Sequence, residues 1–91
     1  MIRYEEDIVK RIRKGLIPRE IFNQIDNAFK AISLTQDLSL FDLKHMKGDE
    51  YAGRMYYRLR KGKYRAIFYI EGDDIFVIAL DKREEIYRKW Q

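Results

Sequence analysis

The stretch Arg54-Met55-Tyr56-Tyr57-Arg58-Leu59-Arg60-Lys61-Gly62-Lys63-Tyr64-Arg65 holds six cations and three tyrosines without a single acid. Continued through Ala66-Ile67-Phe68-Tyr69-Ile70, it alternates apolar and polar positions on either side of Lys61-Gly62, the period of a β-hairpin with one face on a core. With Lys61-Gly62 as the turn, Arg58 falls opposite Arg65 and Tyr56 opposite Ile67. Leu59/Tyr64, Tyr57/Ala66 and Met55/Phe68 then share the other, apolar face. Like charges set directly opposite destabilise a sheet, so the arginine pair points to an anionic partner. For a single exposed pair, guanidiniums that merely splay into screening solvent are the plain alternative. The density of cations around this pair argues against it.

Downstream, Ile75-Phe76-Val77-Ile78-Ala79-Leu80 is apolar at every position, as in a strand covered on both faces. The sheet reads as a meander of Gly53 to Arg60, Lys63 to Ile70 and Ile75 to Leu80, the last two joined at Gly72-Asp73. That turn sets Leu80 opposite Arg65 and delivers the following residues, Asp81 to Trp90, beside the arginines as a charged turn and a short tail.

Upstream, Met1 to Tyr4 is a short strand or a fraying end. Ile8, Val9 and Ile12 recur at helical spacing, with Glu5, Glu6 and Asp7 first and Lys10, Arg11, Arg13 and Lys14 last, the order a helix dipole favours, and Gly15 stops the segment. Pro18 opens a second helix whose stripe of Ile21, Phe22, Ile25, Ala28, Phe29 and Ile32 is core, packed on the apolar face of the hairpin. Ser33 to Asp42 reads as a loop, with Leu38, Leu40 and Phe41 tucked against the helices. The expected architecture is α+β, an N-terminal helical hairpin laid on a small twisted antiparallel β-sheet.

Ninety-one residues with 46% hydrophobic content predict one domain, spanning residues 1–91. There is no cysteine, hence no disulfide framework or thiolate metal site. Arg3, Glu5, Glu6 and Asp7 follow Met1 too closely for a cleavable signal, and no apolar run approaches a membrane span, so a cytoplasmic protein is expected. His45, the one histidine, stands among lysines and without companion ligands, which predicts neither catalysis nor metal binding. The net charge of +4 is unevenly placed: residues 1 to 50 hold nine cations and nine acids, residues 51 to 91 ten cations and six acids. A basic half joined to a neutral half faces a polyanion, although a charged content of 37% also suits a heat-adapted surface.

If Arg58, Arg65, Arg83 and Tyr87 border one face with Tyr56 alongside, the site grips phosphate through guanidinium forks and stacks tyrosine on bases or sugars. Metal-free cleavage of RNA further requires deprotonation of the 2′-OH, neutralisation of charge on the pentavalent phosphate and protonation of the leaving 5′-oxygen. Arginines supply the second by electrostatic preorganisation, each donor being worth roughly 3 kcal/mol. A tyrosine flanked by arginines has its phenolate favoured and suits the first. Arginine is a poor proton donor, so the leaving-group acid is left unassigned.

The runs Leu43-Lys44-His45-Met46-Lys47-Gly48, Tyr57 to Tyr69, Ile75 to Leu80 and Lys82-Arg83-Glu84-Glu85-Ile86-Tyr87 together resemble the RelE/ParE superfamily of toxin–antitoxin toxins. The resemblance implies helices packed on a twisted antiparallel sheet and, for the RelE type, a ribosome-dependent endoribonuclease that cuts messenger RNA by 2′-OH attack without a cofactor or metal. It also implies a RelB-like antitoxin that wraps the toxin in a hetero-oligomer. Carried over by position, Arg65 stabilises the transition state, Arg83 stabilises it or protonates the leaving group, and Tyr87 is the general base. Arg58 stands where the RelE type has a catalytic lysine. Tyr56 replaces a second lysine, and Asp81 stands where many relatives carry histidine. Tyr56, Arg54, Arg60, Lys61, Lys63, Lys44, Lys47 and Lys82 are the expected RNA contacts. The ParE branch, which poisons DNA gyrase on the same fold, and a non-toxic member that only binds its antitoxin are the rival readings. For Ile86 and Tyr87 the alternative is simple packing of the C-terminus onto the helices.

Overall fold

The hairpin at the centre of the chain is built from β3 (Tyr56–Lys61) and β4 (Tyr64–Glu71), and β4 turns again into β5 (Asp74–Lys82). The computed structural model describes residues 1–36, 43–45 and 56–90, with backbone only for residues 43–45 and 90. Both turns hold two residues, Gly62-Lys63 and Gly72-Asp73, between the pairs Lys61/Tyr64 and Glu71/Asp74. In each the glycine takes a positive φ, +57° and +62°, while the residue after it does not. That is the type II′ pattern, with glycine at the first central position.

This rule corrects the expected register. Gly62 must lead its turn rather than follow Lys61, so Arg60 lies opposite Arg65, Arg58 opposite Ile67 and Tyr56 opposite Tyr69. The slip amounts to two residues and leaves every side chain on its expected face. A second correction comes from β5. Phe68 faces Val77 but Ile67 faces Ala79, so Ile78 is an extra residue and the register beyond it advances by one. Arg65 is therefore opposite Asp81, not Leu80. The same bulge spaces the buried positions of β5 as Ile75, Val77 and Leu80.

β1 (Ile2–Tyr4) pairs in parallel with β5, and β2 (Leu43–His45) pairs antiparallel with β3, giving the order β1-β5-β4-β3-β2. The sheet is thus mixed rather than wholly antiparallel. Ladder bonds from Ile75 N to Met1 O (2.9 Å) and from Glu5 N to Val77 O (3.0 Å) occupy an edge of β5 that would otherwise be bare.

Helices α1 (Glu6–Arg13) and α2 (Arg19–Thr35) cover one face of this sheet. Of the stripe, Ile25, Ala28, Phe29 and Ile32 are buried and Ile21 and Phe22 are half-buried against them; in α1 Ile8 is buried and Val9 exposed. Phe29 meets Phe68 edge-on at 4.9 Å, a geometry that aligns the positive ring edge with the negative face. Ser33, Leu34 and Thr35 belong to α2 and not to a loop, because the helix runs on until Gln36 closes it in the left-handed conformation. Leu38, Leu40, Phe41 and the start of the first expected strand, Gly53 to Met55, lie outside the described residues.

The expected tail is a helix, α3 (Arg83–Trp90), with Glu84 and Glu85 in its first turn and Arg88 and Lys89 in its last. It lies on the sheet face opposite to α1 and α2. Its Ile86 is buried with Tyr56 and Ile67, and Tyr69, Ile78 and Ala79 pack around them. β5 is apolar at consecutive positions because α1 and α2 cover one of its faces and α3 covers part of the other. No helix among the described residues is long and apolar enough to cross a membrane.

Candidate functional site

The face of the sheet under α3 carries three rows of side chains set by the observed register. At one end stand Arg60, Arg65 and Asp81; Arg58, Ile67 and Ala79 form the middle row; Tyr56, Tyr69 and Phe76 form the third. Across each row, partners share a face.

Arg65 is 7% exposed, the sole buried charged residue among those described. Its Nη1 donates to the carbonyls of Gly62 and Tyr64, each at 2.9 Å, so the guanidinium is braced against the hairpin turn. Burial, assisted by the positive charges of Arg58, Arg60 and Arg83, holds Arg65 below its ordinary pKa, while Tyr87 acts in the opposite direction. A cation held beside like charges has much to gain from an incoming anion.

The acid opposite Arg65 is turned elsewhere. Asp81 Oδ2 lies 3.2 Å from Arg11 Nη2 of α1, and Oδ1 accepts the Lys82 backbone N–H at 2.8 Å. Arg11 Nη1 also donates to Leu80 O at 3.0 Å. The first amide of α3, Arg83 N–H, donates to Lys63 O at 2.9 Å. These bonds tie α1, the end of β5, the start of α3 and the hairpin turn together, and so fix α3 against Arg65.

On α3, Arg83 and Tyr87 are four residues apart and share a helix face. The Arg83 guanidinium carbon sits 5.0 Å from the centroid of the Tyr87 ring and that of Arg58 sits 5.1 Å from it, a cation–π contact from each element. Hydrogen bonding from Arg83 comes first among the causes that lower the Tyr87 pKa below its ordinary value. The charges of Arg58 and Arg83 and a hydrogen bond from Arg58 add to this, against a smaller opposing effect of burial. Arg58, Arg65, Arg83 and Tyr87 are therefore one electrostatically coupled group.

The remaining expected contacts divide. Arg60 is exposed beside Arg65, and Lys63 is exposed in the turn. Lys61 and Lys82 both stand opposite Tyr64, whose ring joins the helix-side core, so they lie on the other face from Arg65. Tyr56, at 5% exposure, is covered by Ile86 rather than presented to a ligand. The backbone of β2 sets Lys44 opposite Arg58 and His45 opposite Tyr57; Arg54 and Lys47 lie outside the described residues. Among the described residues no three His, Cys, Asp or Glu side chains cluster in a way that would hold a metal ion.

No protein-family model matches the chain, and no curated protein does. The fold does match solved structures. A chain of the RelB-RelE antitoxin-toxin complex from Methanococcus jannaschii superposes with a TM-score of 0.71 at 26% identity, covering 98% of this chain and 99% of that one. This chain has the RelE toxin fold. An archaeal RelE-RelB complex from Pyrococcus horikoshii OT3 shows the same fold, with a TM-score of 0.68, 19% identity and coverage of 90% and 92%.

In this RelE-like chain, sequence reasoning missed α3 as a helix and Arg11 as its anchor. The first had a signal, acids before bases from Glu84 to Lys89 with Arg83 and Tyr87 four apart. The second had none, because Arg11 and Asp81 meet only through the packing of α1 on β5.

Proposed function

We propose that this RelE-like chain is the toxin of a toxin–antitoxin pair and acts as a ribosome-dependent messenger RNA endoribonuclease. The observation that carries the reading is the Tyr87 ring with the guanidiniums of Arg58 and Arg83 at 5.1 and 5.0 Å from its centroid, its phenol made more acidic, on the sheet face of buried Arg65. In the proposed step the Tyr87 phenolate takes the 2′-OH proton, the 2′-oxygen attacks phosphorus and the bond to the 5′-oxygen breaks, leaving a cyclic phosphate. Arg65 and Arg58 neutralise the charge gained by the phosphate, and Arg83 stabilises the departing 5′-oxygen, which takes its proton from water.

The partner in the resting state is a RelB-like antitoxin. Support comes from the solved relatives, which are RelB-RelE complexes, and from a basic face that suits an acidic and apolar segment folding as it binds.

Mapping messenger 5′ ends after brief expression tests the reading. Cuts within translated codons are expected from the wild type, and Tyr87→Phe or Arg65→Ala should abolish them and restore growth while circular dichroism shows the fold intact. Removing one preorganised donor is expected to slow cleavage about 100-fold or more. Arrest that survives both substitutions, or arrest with DNA damage and uncut messenger, would overturn it in favour of a gyrase-directed inhibitor.

A further inference from the structure

The third row of the site-side face extends beyond Tyr56, Tyr69 and Phe76 to Arg3, which pairs with Phe76 across the β1–β5 edge. Within it the Tyr69 and Phe76 rings stack at 4.9 Å and 13°, and Tyr56 meets Tyr69 edge-on at 5.6 Å and 73°. Ile86 of α3 covers the Tyr56 end. At the other end the face opens into a cavity of about 360 Å³, bordered by Tyr69, Phe76 and Ile78 and rimmed by Arg3, Glu5 and Glu6. Arg3 is more than half exposed, and its Nε stands 3.8 Å from Asp74 Oδ2, at the outer limit of an ion pair and easily rearranged.

We propose that this cavity is a nucleobase subsite, taking one unpaired base of the RNA strand whose phosphate the arginine rows grip; it rests on the reading of RNA as the substrate. Three features select a base. Phe76 and the Arg3 guanidinium offer flat, stackable surfaces on neighbouring strands, the combination with which proteins hold splayed bases. Glu5 and Glu6, the latter also 3.4 Å from Lys10 Nζ, repel a phosphate but accept hydrogen bonds from an exocyclic amino group, which favours cytosine, adenine or guanine over uracil. Tyr69 lies four residues along β4 from Arg65, about 13 Å at strand rise, a gap that a short extended run of sugar and phosphate crosses. An aromatic row also stabilises a sheet through cross-strand contact, but that role needs neither an open cavity beyond Phe76 nor a cation at its rim.

Binding of short single-stranded RNAs, each with one nucleotide made abasic in turn, tests the subsite on the full chain by fluorescence anisotropy at low salt. Loss of the base at one position is expected to weaken binding to the wild type about tenfold. The penalty should vanish in Phe76→Leu and shrink in Arg3→Gln, an exposed change that keeps the test usable if Phe76→Leu fails to fold. Equal penalties in wild type and variants, no penalty at any position, or no binding of single strands at all would overturn the subsite. The readout needs no cleavage: messenger cut without a base penalty defeats the subsite alone, whereas a base penalty without cutting defeats the nuclease reading alone.

Discussion

Tyr87 shows how position changes the acidity of a side chain. A phenol is a poor base at neutral pH unless its anion is stabilised, and here Arg83 and Arg58 supply that stabilisation by hydrogen bond and charge. If Tyr87 is the general base, as proposed, it must be deprotonated to act, so single-turnover cleavage on programmed ribosomes should rise with pH with its inflection below 10.0, the ordinary tyrosine value. Replacing Arg58 with alanine removes a positive charge and a donor, which raises the phenol pKa, so the inflection should move to higher pH. An inflection unchanged by Arg58→Ala would mean that another group sets the profile. At this scale the sequence was informative about chemistry and blind to pairing. A run of cations and tyrosines without acids announces Arg58 and Arg65, whereas the bond between Arg11 and Asp81 joins residues seventy positions apart and leaves no local trace.

Between elements, turns and bulges decide which residues meet. The alternation from Tyr56 to Ile70 fixed the faces of the hairpin, because side chains repeat every two residues, but it could not choose between registers two apart. The choice lay in Gly62, which must lead a type II′ turn, just as Gly72 does. The bulge at Ile78 was hidden for a different reason. A strand apolar from Ile75 to Leu80 has no period to break, so nothing marked the extra residue. α3 was obscured by its charge, since among its described side chains only Ile86 is buried. The two turns make a matched test. An added Cβ meets no atom at either glycine, so the cost of alanine is backbone strain alone, about 1–3 kcal/mol in each, readable by urea denaturation. Gly62→Ala should also reduce cleavage, because the Gly62 carbonyl holds Arg65 Nη1 at 2.9 Å, while Gly72→Ala should leave the rate per folded molecule unchanged. Equal effects of the two on cleavage would show that the turn does not position Arg65.

At the scale of the whole molecule, the division of charge along the sequence becomes a division between layers. The first half of the chain, neutral in sum, supplies α1 and α2, where cations are met by acids such as Glu6 with Lys10 (3.4 Å) and Asp26 with Lys30 (3.0 Å). The basic half supplies β3, β4, β5 and α3, and brings Arg58, Arg60, Arg65 and Arg83 to the far side of the sheet. If single-stranded RNA binds at that face, as proposed, association releases about 0.7 counterion per phosphate neutralised. Four such contacts predict a log–log slope of binding against salt of about −2 to −3. Arg60→Gln, an exposed change at the end row, should flatten the slope by about 0.7 and leave the pH profile of cleavage in place. Lys30→Gln, on the opposite layer and already paired, should change neither slope nor affinity. A slope that responds equally to the two substitutions would place the RNA-facing charge over the whole surface, and the rows beside Tyr87 would lose their claim to the strand.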